Sequence, residues 1–475
     1  SLGVIQVGDG STPNSGDLGV NTVTNYGGKL TFNRPDSYVV TNRIIATSGG
    51  LYNIVAGSSV TFSNSGSAWA DTYPQAGTMV FDLGAGGSVS ASGLLDASQF
   101  APDSEVDWVS GNGNFTDVTI ADNASATSTL NVKGGNLSFN TSQAARIGNK
   151  GTGYANVSNG TLTFGSTNDV KLGGDLQLGT TGNGTLTITG GQCQITNATP
   201  RLILGQKTGA AGTLNLYGGT LLSAGTILGG AGTSIATFSG GTLKAGADNN
   251  NWVTNLTSAL VSTNGLTVDD GGYTVAIKQA LLHDAGLAGA DGGLTKNGNG
   301  TLYLNGVNTY TGPTTVTAGN LGGTGTIAGN VTVNSGAALA PGNGSIGTLT
   351  VNGNLTLNGN LLVNVDTSVA PSNSVIIVSG SRSSSGTGTV TVNNLGANAL
   401  VVGQKFYPFK GSILTGGGSL LVSGGGAGVT WSNHLATDGS IEVATVGSAV
   451  PPSFPPGGIS RQLNGSISLT ATGAV

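Results

Sequence analysis

The chain has 475 residues, of which 85 are glycine, 37% are hydrophobic and only 8% are charged, with a formal net charge of −5. The hydrophobic fraction and the low net charge exclude a disordered chain, although the glycine content is far from average globular usage. Lys and Arg total 16 and form no basic run, which excludes a nucleic-acid partner. One Cys and two His exclude an internal disulfide and most metal sites, so no cofactor is predicted.

Apolar residues occur in short runs, and no run reaches the ~18 residues that a membrane-spanning helix needs. The sequence begins at Ser1 without a charged-then-apolar leader, so we expect that a signal peptide has been removed or omitted. The short runs alternate apolar with polar residues and are separated by Gly, Asn and Pro. This pattern predicts strands and turns along almost the whole chain.

Residues 1–66 predict the first coils of a solenoid, with strands at Val4–Val7, Lys29–Phe32, Tyr38–Val40 and Ser59–Phe62. Residues 67–128 have the least regular pattern. Their charged and aromatic residues predict irregular coils with loops that decorate the rod.

An internal repeat runs through residues 129–248. Its Gly-Gly or Asn-Gly corners lie at intervals, by subtraction, of 25, 31, 28 and 22 residues, at Gly135, Gly160, Gly191, Gly219 and Gly241. A short strand follows each corner, and a second set of glycine corners keeps step with the first. Two corners in step predict a parallel β-solenoid, in which each coil stacks on the next.

Residues 249–291 interrupt this repeat and predict a loop or insertion. Val275–Leu287 is the one segment with a trace of helical pattern, and we expect a strand followed by a loop that protrudes from the rod.

Residues 292–366 return to short alternating segments with Gly and Asn at the corners. One stretch of this region is GGLTKNGNGTLYLNGVNTYTGPTTVTAGNL. It cannot bury its apolar face alone and therefore needs similar coils above and below it.

That stretch resembles the passenger-associated repeat of autotransporter-type surface proteins, whose pattern is roughly G-x-L-x-K-x-G-x-G-x-L-x-L-x-G-x-N-x-Y-T-G-x-T-x-V-x-x-G-x-L. The matching positions are Gly293, Leu294, Lys296, Gly298, Gly300, Leu302, Leu304, Gly306, Asn308, Tyr310, Thr311, Gly312, Thr314, Val316, Gly319 and Leu321. The resemblance implies an extracellular or cell-surface protein of a Gram-negative-type bacterium. Proteins of this family end in a membrane β-barrel, which this sequence does not include; cleavage, omission or another export route would each explain the difference.

Residues 367–449 predict longer strands, and Trp431 suggests coils that are wider or packed against a small subsidiary sheet. In residues 450–475 a Pro-rich segment precedes an alternating run, which predicts a stiff linker and a detached C-terminal strand. The apolar residues of that strand are Leu463, Ile467 and Leu469. No polar cap or terminal helix is predicted at either end of the rod.

Few residues are candidates for chemistry. Asp103, Glu105 and Asp107 alternate and would share one strand face, which suggests calcium binding or, more simply, a solvated loop. Asp269 and Asp270 are either catalytic carboxylates of a glycan-cleaving enzyme or part of a turn before two glycines. The turn is the simpler interpretation, and we expect no enzyme.

Other single residues have simple structural interpretations. His283 and His434 lie far apart, without a nucleophile nearby. Cys193 lies in an alternating strand, which predicts a small buried side chain. Trp69 and Trp108 are the candidates for stacking on glycans.

The predicted fold is all-β, a right-handed parallel β-helix over most of the chain. The first functional hypothesis is a non-enzymatic, secreted rod that self-assembles head-to-tail into a fibre through open ends and the C-terminal strand. The alternative is a cell-surface adhesin that binds glycans through loops around Trp69 and Trp108. The predicted partners are therefore further copies of the chain or surface glycans.

Overall fold

The fold is a parallel β-solenoid whose coils pass through three faces in turn. A computed structural model describes residues 4–97, 103–140, 143–165, 168–175, 180–197, 199, 201–447, 459–461 and 467–469. The first face is a sheet of 18 strands and the second a sheet of 16; the third face is a sheet of 11 strands continued by one of 4. Neighbouring strands within these sheets pair in parallel, as Asn136–Phe139 does with Thr161–Phe164.

The strands of the first face are Val4–Val7, Lys29–Phe32, Gly50–Asn53, Asp71–Pro74, Leu94–Ala97, Asp117–Ile120, Ala145–Ile147, Val170–Leu172, Leu202–Leu204, Ile227–Gly229, Asn249–Thr254, Thr274–Ile277, Thr301–Leu304, Asn320–Gly323, Ala338–Pro341, Asn360–Val365, Thr389–Asn394 and Leu421–Gly424. The strands of the second face are Val23–Tyr26, Ile44–Ser48, Ser67–Trp69, Ser88–Ala91, Asn112–Phe115, Asn136–Phe139, Thr161–Phe164, Gln192–Ile195, Thr220–Ser223, Thr242–Ala245, Leu266–Asp269, Leu294–Asn297, Thr314–Val316, Val331–Val333, Leu355–Leu357 and Arg382–Ser384.

The third face begins with the strands Ser37–Val40, Ser59–Phe62, Gly77–Asp82, Ser104–Ser110, Thr127–Val132, Thr152–Val157, Asn183–Ile188, Ala211–Leu216, Thr233–Phe238, Ser258–Val261 and Leu281–His283. It continues with Val307–Asn308, Thr326–Ile327, Thr348–Val351 and Val375–Val378. Three of the four strands predicted in residues 1–66 form with the predicted bounds, and the one predicted at Tyr38–Val40 begins one residue earlier, at Ser37.

Alternation along each strand builds the core. Ala211–Leu216, for example, alternates half-buried with buried residues, and its buried Leu214 and Leu216 face the inside of the coil. In the second face the register partners of successive coils are Leu137, Leu162, Cys193, Leu221 and Leu243, at intervals of 25, 31, 28 and 22 residues by subtraction. These intervals equal those between the glycine corners, so the predicted repeat is confirmed.

Residues 67–128 do not decorate the rod as predicted. Their described part continues all three faces, and its aromatic rings form a stack inside the coils. The Phe81 ring lies 5.2 Å from Phe62 and 5.1 Å from Trp108, measured between centroids. The sequence looked irregular because large rings, rather than Val or Leu, occupy the inward positions.

Residues 249–291 also continue the solenoid. Thr274–Ile277 is a strand of the first face and Leu281–His283 ends the first part of the third face. Residues 284–293 contain no strand, so the prediction of a strand followed by a loop is confirmed, and the trace of helical pattern in Val275–Leu287 forms no helix. Val275 and Ile277 pair in register with Leu302 and Leu304 of the next coil, and this ladder determines the local structure.

A small antiparallel sheet covers the C-terminal end of the solenoid, so the prediction that neither end is capped is wrong. Its strands are Lys405–Phe406, Ser440–Thr445 and Thr430–His434, and a single 3₁₀ turn lies at Gly417–Ser419. The last strands of the second and third faces donate N–H groups to this region, from Ser384 to the Thr415 carbonyl (2.8 Å) and from Ile376 to the Pro408 carbonyl (2.7 Å). The cap has an apolar core of Phe406, Leu414, Leu435, Ile441 and Val443. The subsidiary sheet predicted near Trp431 is thereby confirmed.

The described residues after the cap form two short strands. Ile459–Arg461 pairs antiparallel with Ile467–Leu469, so two of the three residues predicted for self-assembly lie in a strand with a partner in its own chain. Leu463 and the Pro-rich linker of residues 450–458 lie outside the described residues.

Candidate functional site

A buried lysine lies at the centre of the coil that begins at Leu294. The strand Leu294–Asn297 turns Lys296 inward, in the same alternation as Leu294. The Lys296 ammonium donates to the carbonyls of Gly298 (2.8 Å), Gly300 (3.3 Å) and Ala318 (2.9 Å). These bonds join the corner of one coil to the corner of the next, because an inward ammonium must satisfy its donors within the protein.

The Asp270 carboxylate of the preceding coil neutralises this lysine. Asp270 and Lys296 form an ion pair in which both side chains are fully buried. The other Asp270 oxygen accepts N–H bonds from Gly272 (2.9 Å) and Gly300 (2.8 Å). Burial lowers the pKa of Lys296, and the Asp270 carboxylate opposes that shift. The ion pair joins the coil of Asp270 to that of Lys296, and the bond from Lys296 to the Ala318 carbonyl adds the next coil.

The glycine that follows this corner is required by space and backbone conformation. Gly319 has φ +61°, and a Cβ added there would lie 2.6 Å from the Lys296 ammonium. A side chain at this position would be strained and would displace the lysine.

A second buried carboxylate lies at the opposite corner of the same coil. Asp291 accepts N–H bonds from Gly293 (3.0 Å), Thr311 (2.7 Å) and Gly312 (2.9 Å), and its Oδ2 lies 2.8 Å from Nδ1 of His283. Burial alone would raise the pKa of the Asp291 carboxyl, but the bonds from Thr311 and His283 outweigh it, and the pKa is lowered. The ionised Asp291 carboxylate thus joins neighbouring coils through bonds from their backbone N–H groups.

Tyr310 completes the buried polar set of this coil. Its ring is fully buried, and its hydroxyl lies 2.5 Å from Oγ1 of Thr314. Burial raises the pKa of the Tyr310 phenol. The lysine, the tyrosine and the threonine are all positions of the repeat pattern, so these three motif positions have structural partners.

A comparison with known families matches the part of the chain that holds Lys296, Tyr310 and Thr314. Residues 294–322 match the family model described as passenger-associated-transport-repeat. The chain carries an autotransporter passenger repeat. No match was found among curated proteins. The passenger repeat is typical of secreted or surface proteins of bacteria. In the described ranges we find no helix with the length and apolar character that crossing a bilayer requires.

The predicted glycan-stacking tryptophans lie inside the solenoid, where a glycan cannot reach them. Trp69 is 2% exposed and Trp108 is fully buried. Their indole N–H groups bond internally, Trp69 to Oγ1 of Thr72 (2.8 Å) and Trp108 to the Gly111 carbonyl (3.2 Å). The prediction that these rings stack on glycans is therefore wrong, because large apolar rings occupy inward positions of the coil.

The acidic trio, for which the sequence suggested calcium binding or, more simply, a solvated loop, accepts hydrogen bonds from protein donors. Asp103 accepts the N–H of Thr127, and Glu105 accepts from Nδ2 of Asn131 (2.6 Å). Asp107 accepts from the same Asn131 amide and pairs with the Lys133 ammonium at 2.7 Å. Within the described ranges no group of three or more His, Cys, Asp or Glu side chains has the arrangement of a metal site.

The remaining candidates have structural surroundings. Asp269 pairs with Lys244 at 2.7 Å and accepts the N–H of Gly271, which is the turn arrangement that the sequence suggested. His434 lies on the cap, 3.5 Å from Glu442. Cys193 is fully buried, as predicted, and burial raises the pKa of its thiol to about 12.

The burial of Lys296, Asp270 and Asp291 was not predicted from the sequence. Lys296 shares the inward parity of Leu294, and this signal was available from the alternation alone. Asp270 and Asp291 were less visible, because their partners lie in neighbouring coils and depend on the register between coils.

Proposed function

We propose that this chain is a non-enzymatic, secreted structural protein, a stiff solenoid rod of the outer surface of a Gram-negative-type bacterium. The observation that carries the proposal is the ladder of 18 strands along the first face, which continues from Val4 to Gly424. With about 4.8 Å between neighbouring strands, its 17 spacings give a length on the order of 80 Å. A repeat array of this kind holds its two ends at a fixed distance.

The charged groups support a structural rather than a catalytic role. Asp269 and Asp270 each pair with a lysine, and the carboxylates of the acidic trio accept bonds from neighbouring coils. A general acid or base needs a carboxyl that can reach a substrate. These carboxylates instead connect coil to coil.

We further propose that the rods join end to end. Among the described residues, the strands Val4–Val7 and Val23–Tyr26 pair on one side only, with the second coil. Val4 and Ile5 are 59% and 41% exposed. An edge of this kind accepts another strand, which must satisfy the open backbone groups.

The cap restricts how such a junction forms. Because the antiparallel sheet covers the C-terminal end, direct stacking of one solenoid on another is disfavoured there. The hairpin of Ile459–Arg461 and Ile467–Leu469 follows the cap and supplies strands that can add to the first coil of another copy. The proposed junction is therefore strand addition, with a C-terminal segment of one copy on the N-terminal edge of the next.

Sedimentation of two altered chains tests this junction. The first ends at Val450, and the second keeps full length but replaces residues 459–469 with a Gly/Ser sequence. We expect both to remain in the supernatant under conditions in which the intact chain forms sedimenting polymers. Polymers of equal amount from the Gly/Ser chain would contradict strand addition while leaving the rod itself intact.

A further inference from the structure

A small recess lies on the outer side of the first face, beside the passenger repeat. It has a volume of about 190 Å³, and its polar lining comes from Thr301, Tyr303, Asn320, Asn364 and Asn393. These residues belong to four strands of the first face, with Thr301 and Tyr303 on one strand, and their outward positions line one side of the ladder. The volume of the recess is below the ~300 Å³ at which pockets for drug-sized ligands begin, so the recess can hold one small ring.

Tyr303 forms one wall of the recess. A Cβ added at Gly322, its register partner, would lie 3.0 Å from Cδ1 of Tyr303, so the ring rests against the glycine backbone. Its hydroxyl makes no hydrogen bond with any residue that the structure describes. Tyr303 is half-buried, and burial raises the pKa of its phenol. An aromatic ring held in place with an unused hydroxyl can stack on a ligand and bond to it.

A loop of residues 342–347 forms the rim of the recess. Gly342 exchanges two backbone bonds with Gly323, each 2.9 Å, and these hold the loop against the first face. A Cβ added at Gly344 would lie 3.5 Å from the Tyr303 hydroxyl. The loop thus brings the rim close to the tyrosine without a side chain that would fill the space.

Amide groups supply the remaining polar contacts. Asn320 donates to Oγ1 of Thr301 (3.1 Å), and Asn393 donates to Oδ1 of Asn364 (3.2 Å). These bonds orient the amides, and no donor among the described residues bonds the Asn320 and Asn393 carbonyl oxygens. Fixed amide oxygens accept hydrogen bonds from ligand hydroxyls.

The chemistry of the lining identifies the class of ligand. None of the residues around the recess carries a charge, and Ala340 and Leu362 add apolar surface between the polar groups. We propose that this recess binds one ring of a neutral saccharide, with Tyr303 against an apolar sugar face and the asparagine amides on the sugar hydroxyls. This assigns a ligand site beyond the structural role, and rod formation does not depend on it.

Binding to an array of neutral hexose and N-acetylhexosamine oligosaccharides, with sulfated and uronic-acid glycans beside them, tests the proposal. We expect the intact chain to retain neutral glycans, Tyr303→Ala to lose at least ~10-fold in affinity, and Tyr303→Phe to lose less because it keeps the ring. Tyr217→Ala is the matched control, since Tyr217 is 46% exposed and does not line the recess.

Three outcomes would overturn the proposal: no retention of neutral glycans, retention of anionic glycans alone, or equal binding by Tyr303→Ala and the intact chain. Asn393→Ala is a second variant at an exposed position, where loss of folding is not expected, and reduced binding is the expected result. Circular dichroism of each variant confirms that the solenoid is intact.

Discussion

Lys296 and Asp270 pair in the interior of the solenoid, with neither side chain exposed to solvent. The lysine also bonds three carbonyls from two corners, and the aspartate bonds two backbone N–H groups. The passenger repeat therefore contributes more than apolar strands: it supplies one charge to a network that sets how three coils stack.

Replacing Lys296 with Met should destabilise the protein strongly. The change leaves the Asp270 carboxylate buried without its counter-charge, which costs about 3–5 kcal/mol. Urea unfolding followed by circular dichroism measures the loss. The control is Lys278→Met at an exposed lysine, where we expect a change within about 0.5 kcal/mol; equal effects of the two substitutions would contradict this account of the pair.

Tyr310→Phe should have a smaller effect. The substitution keeps the buried ring but removes the bond to Thr314, which is worth about 1 kcal/mol. Tyr310→Ala also leaves a cavity and should cost about 3–5 kcal/mol. Thermal unfolding separates the two, with the exposed Tyr217→Phe as the control. A Phe variant as unstable as the Ala variant would mean that the hydroxyl, and not the ring, dominates.

Asp96 predicts a pH dependence of stability. It is 1% exposed, its Oδ1 has no hydrogen-bond partner among the described residues, and burial together with Asp122 raises its pKa to about 7. The folded state thus holds this proton more tightly than the unfolded state, whose pKa is near 3.8. The contribution of Asp96 to the free energy of unfolding should be greatest at low pH, fall as the pH rises from about 4 to about 7, and then stay level.

Asp96→Asn should remove that slope and stabilise the protein at pH 8. The free energy of unfolding is measured in urea at several pH values for the variant and the intact chain. The difference between the two isolates the contribution of Asp96 from that of other titrating groups. Asp103→Asn, at an exposed carboxylate, is the control and should follow the intact chain. Parallel pH profiles for Asp96→Asn and the intact chain would show that Asp96 is ionised in the folded state at neutral pH.

Trp108→Ala should lower the free energy of unfolding. The ring is fully buried and stacks on Phe81, and its removal leaves a cavity that costs about 3–5 kcal/mol. Thermal unfolding measures the loss, and Trp108→Phe should retain much of the stability. If a folded Trp108→Phe variant lost glycan retention, Trp108 would contact glycans after all, and this account of a buried, structural ring would be wrong.

Alternation and corner spacing were sufficient to predict the solenoid. The intervals between Gly135 and Gly241 reappear as the register of Leu137 with Leu162 and of Leu221 with Leu243. This succeeded because each coil repeats the same local chemistry, so the pattern along the chain also describes the packing between coils.

The inward position of Trp108 was available from the alternation but was missed, because Trp108 shares the parity of Val106 while Glu105 and Asp107 occupy the other face of Ser104–Ser110. Trp69 ends a strand of three residues, Ser67–Trp69, which is too short for alternation to assign a face. A small sheet near Trp431 was predicted, but its position as a cap on the solenoid was not, because the sheet pairs residues distant in sequence, such as Lys405 and Glu442. The recess beside Tyr303 likewise depends on side chains from several coils.

Electron microscopy of the purified chain, at neutral pH and moderate salt, tests the central claim most directly. The account predicts rods with a solenoid length on the order of 80 Å, from 17 spacings of about 4.8 Å, joined end to end in filaments whose axial repeat is at least that length. Separate rods at every protein concentration would contradict the fibre, and compact particles without an elongated axis would contradict the rod itself.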